Sequence, residues 1–137
     1  MYRLLLSILL IIVNGISFTP AQTQEEIYFE GMDIIITIRE NPTTGYIWSY
    51  TIEPEDMLTC VKDHYQPYAA SLYTDGGGGS RQYVFQAGGT AGIAIIRLIL
   101  IEPNGMASRE MALEARLSET GVESVERIHT DAFNADH

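Results

Sequence analysis

Apolar and polar residues alternate along most of the chain between residues 33 and 117. A period of two is typical of β-strands that bury one face. The segments that show it, or that form a short continuous apolar run, are 33–39, 46–52, 58–60, 82–86, 92–101 and 111–117. We therefore predict a chain built mainly from short strands.

The register of these strands predicts which side chains face the core. Arg97 is the only charged residue in the run 92–101, so its face is the solvent or rim side and the alternate residues point inward. The expected core positions in the three longest runs are Ile34, Ile36 and Ile38, then Tyr46, Trp48, Tyr50 and Ile52, then Ala94, Ile96, Leu98 and Leu100. Residues 111–117 also suit a helix by composition, but we predict a strand because the long run 92–101 needs a partner.

Breakers separate the strands at residues 40–42, 76–79, 88–89 and 103–105. Six or seven strands within about 100 residues, with turn signals between them, predict an all-β fold. The architecture that we expect is an immunoglobulin-like β-sandwich of about seven strands. Residues 119–137 are polar and lack periodicity, so we expect a mobile or weakly helical tail there.

The amino-terminal segment has the pattern of a secretory signal peptide. Arg3 supplies a positive charge, residues 4–13 are almost purely apolar, and the small residue Ala21 offers a cleavage position. We predict a signal peptide at 1–21, an immunoglobulin-like domain at 22–118 and the tail at 119–137. The protein is then expected to be secreted, periplasmic or in a secretory-vesicle lumen, without membrane attachment. The alternative is an uncleaved anchor on an envelope-attached structural domain, although the apolar stretch is shorter than a spanning helix needs.

Composition excludes several classes of function. The 137 residues carry a net charge of −10 with a single lysine, Lys62, which argues against nucleic-acid binding because phosphate neutralisation needs basic patches. One cysteine, Cys60, excludes an intrachain disulfide and a multi-cysteine zinc site. His129 and His137 lie near acidic residues in the tail without the spacing of a calcium loop, so we predict no metal and no cofactor.

Enzyme motifs are also missing from the sequence. It contains neither a Gly-x-Ser-x-Gly elbow nor a Gly-Lys-Ser/Thr phosphate loop. Cys60 lies within an apolar segment, and no histidine or cation adjoins it in sequence, so we interpret it as an inert buried thiol. An enzyme is therefore the weakest class of function for this chain.

Three loops carry the remaining information. The first contains no charge and is stiff, because Pro42 fixes φ, Gly45 allows a tight turn and the β-branched threonines have few rotamers. It reads Asn41, Pro42, Thr43, Thr44, Gly45 and Tyr46. The second is the run Gly76, Gly77, Gly78 and Gly79, and the third is Glu102, Pro103 and Asn104. Taken alone, each is consistent with an ordinary turn or linker.

In this order and spacing, the three loops resemble those of the chagasin-type inhibitors of cysteine peptidases, family I42. That family has an immunoglobulin-like sandwich with a first loop Asn-Pro-Thr-Thr-Gly-Tyr/Phe, a Gly-x-Gly-Gly loop, and an Arg-Pro-Trp/Phe loop after a long apolar strand. Here the first motif is complete at 41–46, the second is present at 76–79, and Trp48 matches the strand tryptophan. The resemblance covers residues 30–117.

The resemblance implies a monomeric, reversible and competitive inhibitor of a papain-like cysteine peptidase. The tip with Thr43 and Thr44 would enter the catalytic centre, the glycine loop would pair with the cleft wall, and the Pro103 loop would close the other side. The third motif departs from the family, since Glu102 replaces a cation and Asn104 replaces an aromatic residue. A different target, a lower affinity or a substitute group would each account for that departure. The alternative function is a secreted immunoglobulin-like binding or adhesion module without inhibitory activity.

Overall fold

The computed structural model describes residues 25–69 and 77–129. The predicted signal peptide at 1–21, the glycine Gly76 and the end of the chain from residue 130 lie outside the described residues. The described part contains eight strands and one 3-10 turn, Pro42–Thr44. The strands are β1 (Glu25–Glu30), β2 (Asp33–Glu40), β3 (Ile47–Glu53), β4 (Leu58–Pro67), β5 (Gly79–Ala87), β6 (Gly92–Ile101), β7 (Ala107–Ser118) and β8 (Gly121–Ile128).

The strands form two four-stranded sheets that pack face to face. One sheet has the order β1-β2-β5-β4 and the other has the order β3-β6-β7-β8, with every neighbouring pair antiparallel. The predicted all-β sandwich is confirmed, with eight strands where about seven were expected. The strand prediction for 111–117 is also confirmed, because these residues lie inside β7 and pair with both β6 and β8.

The prediction of a mobile or weakly helical tail was wrong for residues 121–128, because these residues form strand β8. Val122 lies opposite Leu117 and Val125 lies opposite Ala115, so both valines face the same side of the sheet although they are three residues apart. A shift in register between Arg116 and Leu117 accommodates the extra residue. Such a bulge breaks the period of two and therefore hid this strand from the sequence pattern.

The core consists of the inner faces of both sheets. The inward positions expected on β2 and β6 are confirmed. Ile34, Ile36 and Ile38 on β2 are buried, as are Ala94, Ile96 and Leu98 on β6, and Leu100 is partly buried. Arg97 lies on the outer face, where its guanidinium pairs with Glu110 at 2.9 Å. Aromatic rings fill the centre, with the Tyr50 ring edge-on to both Tyr83 and Phe85 at centroid distances of 5.3 and 5.0 Å.

The two lateral openings of the sandwich differ. On one side β1 approaches β8, and the Glu25 carboxylate forms ion pairs with Arg109 and Arg127. On the other side the edge strands β3 and β4 leave a cavity of about 530 Å³. Its lining residues are Tyr50, Thr51, Ile52, Glu55, Leu58, Thr59 and Cys60. Among the described residues, no helix has the length and apolarity needed to cross a membrane.

The packing of β6 generates a test of the core. We expect Leu98→Ala to lower the free energy of unfolding by about 2–5 kcal/mol, because this fully buried side chain would leave a cavity. The matched control is Ile93→Ala on the same strand, where the side chain is 49% exposed and the loss should stay below about 1 kcal/mol. Urea unfolding measures both changes, and equal losses would contradict the inward register of β6.

Candidate functional site

Three loops leave the sandwich at the same end and contact one another. They connect β2 to β3, β4 to β5 and β6 to β7. A Cβ added to Gly45 in the first loop would lie 2.8 Å from Cγ of Pro103 in the third loop. A Cβ added to Gly78 in the second would lie 3.3 Å from Cβ of Asn41. The first loop therefore touches both of the others, and the candidate residues form one surface.

The first loop is held by hydrogen bonds within itself. The main-chain oxygen of Asn41 accepts from the Thr44 N–H at 3.2 Å and from the Thr44 hydroxyl at 2.7 Å. The Thr43 hydroxyl donates to Oδ1 of Asn41 at 2.6 Å, and the Gly45 N–H donates to the oxygen of Pro42 at 3.0 Å. Both threonines are exposed. Because their hydroxyls are engaged within the loop, the γ-methyl groups are the parts of these side chains that remain for contact with a partner.

Tyr46 closes this loop in a way that the sequence pattern did not predict. It forms an isolated antiparallel bridge with Asn41, and β3 begins only at the next residue, Ile47. The side chain of Tyr46 is 38% exposed, whereas Trp48 is 8% exposed. The expectation that Tyr46 faces the core with Trp48 was therefore wrong, and its ring belongs to the loop surface.

A buried ion pair fixes the start of the first loop. The Glu40 carboxylate, next to Asn41, is completely buried and accepts hydrogen bonds of 2.7–2.9 Å from Nε and Nη2 of Arg81. Its Oε2 also accepts from the Trp48 N–H at 2.8 Å. The bonds to Glu40 are the main cause that raises the pKa of Arg81 above its ordinary value, with Asp63 contributing from the exposed side at 2.7 Å.

The end of the first loop is fixed by the same region of the core. The Trp48 indole N–H donates to the main-chain oxygen of Arg39 at 3.0 Å, and the Trp48 carbonyl accepts from the Tyr83 hydroxyl at 3.2 Å. Burial raises the pKa of Tyr83, so this hydroxyl remains a neutral donor. Strands β2 and β5 belong to one sheet and β3 belongs to the other. The bonds of Trp48 to Glu40, Arg39 and Tyr83 therefore join the two sheets at the base of the loop. The sequence did not reveal this arrangement, because Arg81 lies 41 residues from Glu40.

The second loop is packed more tightly than a flexible glycine run. Gly78 is buried with φ +73°, and its carbonyl accepts from the Tyr68 N–H at 3.2 Å. Gly79 lies within β5 between Glu40 and Pro67, where a Cβ would come within 2.3 Å of a main-chain oxygen of β4. Both glycines are needed for close packing of the backbone. Gly77 is partly exposed, and Gly76 lies outside the described residues.

The third loop is a tight turn that uses its own polar side chain. The Glu102 N–H donates to the Met106 oxygen, and the Gly105 N–H donates to the Glu102 oxygen, both at 2.8 Å. Oδ1 of Asn104 accepts from the Met106 N–H at 2.9 Å. Pro103 contacts Gly45, as described above. Met106 is 66% exposed and was not among the residues singled out from the sequence, because the motif ends two positions before it.

Within the described residues, no group of three or more His, Cys, Asp or Glu side chains could hold a metal ion. Cys60 is half-buried on β4 and donates to the Lys62 carbonyl at 3.3 Å. Its hydrogen bond with Tyr50 is the largest contribution that raises the pKa of Tyr50 to about 12.

The two sheets thus carry three loops at one end, and the first of these loops contacts both of the others. The sequence model of the family described as "Chagasin family peptidase inhibitor I42" matches residues 30–114, which is more than half of the chain. The chain therefore belongs to the chagasin family of peptidase inhibitors. The predicted family is confirmed, and membership groups the chain with peptidase inhibitors.

The solved structures that are similar to the chain include an inhibitor and a domain of another protein. One is the cysteine protease inhibitor EhICP2 from Entamoeba histolytica, with 24% identity and a TM-score of 0.49 over 60% of this chain and 75% of that chain. The other is the reduced N-terminal domain of Neisseria meningitidis DsbD, with 13% identity and a TM-score of 0.35 over 85% and 98%. No curated protein matches the chain.

The buried ion pair next to the first loop can be tested by stability. We expect Glu40→Gln to lower the free energy of unfolding by about 1.5–3 kcal/mol, because the Arg81 guanidinium would lose its buried counter-charge and keep only its exposed partner, Asp63. The control is Asp63→Asn, which removes the exposed partner of the same arginine and should cost at most about 1 kcal/mol. Guanidinium unfolding curves give both values. A loss for Glu40→Gln no larger than the control's would show that the pair does not hold this region.

The contact between the first and third loops can be tested with a pair of glycines. Gly45 and Gly105 have similar φ values of +82° and +84°, but only Gly45 faces a neighbour, because a Cβ on Gly105 would meet nothing within 4 Å. Gly105→Ala should therefore cost only the strain of the left-handed backbone, about 1–2 kcal/mol, and Gly45→Ala more. Thermal unfolding compares the two variants. Equal shifts in Tm would argue against the Gly45–Pro103 contact.

Proposed function

We propose that the protein is a reversible, competitive inhibitor of papain-like cysteine peptidases and that it binds through the three loops. The observation that carries this proposal is the first loop. It is uncharged, closed by its own hydrogen bonds and supported by the third loop at the Gly45–Pro103 contact. The chagasin-type inhibitors that its motif resembles act on cysteine peptidases.

The mechanism that we propose is occlusion of the catalytic centre by the first loop. The hydroxyls of Thr43 and Thr44 donate to Asn41 within the loop, and the γ-methyl groups provide the contact with the enzyme. A loop that is ordered before binding loses little conformational entropy when it docks. Because this tip is a compact turn and no extended segment crosses the site, the inhibitor is expected to remain uncleaved.

The second loop contributes mainly by supporting the first. The family resemblance suggested that the glycine run pairs with the wall of the cleft. However, Gly79 already has a strand on each side, and Gly78 is buried against Asn41. In our proposal the contact of this loop with the enzyme is therefore made at Gly77, which is partly exposed, and the two packed glycines hold the second loop against the first.

The third loop gives the inhibitor its charge preference. Glu102 stands where the family has a cation, and the whole chain carries a net charge of −10. A carboxylate at the rim of an interface disfavours an acidic partner surface and favours a neutral or basic one. We infer a target whose cleft rim facing this loop is not acidic.

We further propose that residues 1–21 direct secretion and that the remaining chain acts as a monomer outside the cytoplasm. The support is the sequence pattern of residues 1–21, since a positive start, an apolar stretch and a small residue before the cleavage position are typical of a signal peptide. Mass determination of the protein recovered from its own cells would locate the amino terminus. A chain that retains residues 1–21 would favour the envelope-attached alternative.

The inhibition itself can be measured by titrating papain and a cathepsin-L-like enzyme with the protein and following residual activity. Competitive inhibition in the nanomolar range would support the proposed function and show that Glu102 and Asn104 are tolerated. Absence of inhibition at micromolar concentration, with a folded protein, would favour the binding or adhesion module.

The first loop's role is tested by one substitution with a matched control. Thr44→Lys should weaken inhibition at least about a hundredfold, because it places a long charged side chain at the tip that must enter the cleft. Thr90→Lys, at an exposed threonine between β5 and β6 at the other end of the sandwich, should leave the inhibition constant unchanged. Circular dichroism confirms folding of both. Equal inhibition by the two folded variants would remove the first loop from the mechanism.

A further inference from the structure

We propose that the residues that follow β8 continue this strand along an open edge of β7, and that Asp131 lies opposite Arg109 there. This edge consists of residues 107–111 and is called the β7 edge below. The proposal assigns a binding surface to the sheet β3-β6-β7-β8 and makes a segment of the same chain its occupant. It does not depend on the inhibition of a peptidase, because neither the surface nor its occupant belongs to the three loops.

The first step is that β7 extends beyond β8 at the end that carries the loops. Strand β7 begins at Ala107, but its pairing with β8 reaches only Ala112, which lies opposite Ile128. The β7 edge lies against β6 on one side. Among residues 25–69 and 77–129, no strand pairs with it on the other side. The unpaired backbone groups of such an edge form a template for a further strand.

The second step is that the chain leaves β8 in the direction that this edge requires. Strand β8 runs antiparallel to β7, so the chain after Ile128 heads toward the start of β7 and the loops. Five residues of extended chain span about 17 Å and match the length of the β7 edge. Beyond His129 the sequence continues with the eight residues 130–137, and none of them is a glycine or proline that would break a strand. Thr130 and Phe133 are of residue types that strands favour.

The third step is the charge at this edge. The half-exposed guanidinium groups of Arg109 and Arg127 both pair with the single carboxylate of Glu25. Each pair uses Nη2 of its arginine, and a guanidinium has further N–H donors on its other two nitrogens. Two positive charges thus share one negative charge in this cluster of described side chains. One more carboxylate would balance it.

The fourth step is that the register of β8 brings a carboxylate to this cluster. Ile128 lies opposite Ala112. A continuation in the same register moves one residue back along β7 for each residue added to β8, and it places Asp131 opposite Arg109. Because side chains alternate between the two faces of a strand, Asp131 also shares the face of Arg127. Opposite charges at cross-strand positions stabilise the pairing of two strands.

Covering the β7 edge also has a consequence for self-association. An open edge can pair with an edge of a second copy, and natural proteins cover or charge their edges for this reason. A chain that covers the edge with its own residues 130–134 stays a monomer, which agrees with the monomer proposed above.

The test measures amide exchange of the β7 edge by NMR, in the protein and in a variant that stops after His129. Removing residues 130–137 should speed the exchange of the edge-directed amides among residues 107–111 by about tenfold or more, because these amides lose their hydrogen-bond acceptors. Amides that join β3 and β6 should exchange at an unchanged rate, which shows that the core of the variant is intact.

A matched pair of substitutions tests the register. Asp131→Asn should speed the exchange of the same amides by about twofold to fivefold, because it removes the charge of one cross-strand pair and leaves the backbone pairing in place. Asp136→Asn removes an equal charge from the same segment at a position beyond the β7 edge, and it should leave the exchange rates unchanged.

Each outcome supports or overturns the proposal. Equal exchange in the protein and in the shortened variant would overturn the pairing. Equal effects of Asp131→Asn and Asp136→Asn would overturn the placement of Asp131 opposite Arg109. Protection that rises with protein concentration, together with a doubled mass in sedimentation, would show that a second copy occupies the edge and would contradict the proposal as well.

Discussion

The structure of the loop end depends on the burial of one carboxylate, that of Glu40. Removing a charged group from water costs several kcal/mol unless charged and polar partners replace the water. Arg81 supplies two nitrogen donors, and Trp48 supplies its main-chain N–H. Because β2 and β5 belong to one sheet and β3 to the other, satisfying this carboxylate brings the two sheets together at a defined position. The first loop begins at the next residue, so its base is placed by the one charged residue that is buried among the described residues.

This constraint explains how a short loop can act as a rigid projection. A loop that is fixed only by its sequence neighbours still moves relative to the body that carries it. Here the segment before the loop is tied by Glu40 and the segment after it by Trp48, while the Gly45–Pro103 contact supports its side. Sites that are supported by strands and by surrounding hydrogen bonds hold their geometry better than sites on free loops. The glycines at 78 and 79 also help to support the first loop. A side chain at Gly78 would crowd Asn41 in the first loop, and one at Gly79 would collide with the backbone of β4.

Much of this architecture could be predicted from local patterns, and the failures have physical causes. Alternation located β2 and β6 and the inward positions of Ile36 and Leu98, because a strand with one buried face must repeat every two residues. It missed β8, where a bulge interrupts the period, and it placed Tyr46 in the core although the strand begins one residue later. The loop motifs identified the family, since they are local in sequence. The Glu40–Arg81 pair depends on a contact between strands that are distant in sequence, and the exposure of Met106 depends on the geometry of a turn. The pattern of a single sequence contains neither kind of information.

The departure in the third motif also has a structural meaning. With arginine and tryptophan at positions 102 and 104, the turn would project two large side chains toward a partner. In this chain Asn104 instead bonds to the backbone of its own turn, and the exposed apolar side chain appears two residues later at Met106. The change leaves the Pro103–Gly45 contact intact, and so the first loop keeps its support whatever the third loop presents. The buried pair at Glu40 and the Gly45–Pro103 contact therefore hold the first loop independently of the side chains at positions 102 and 104.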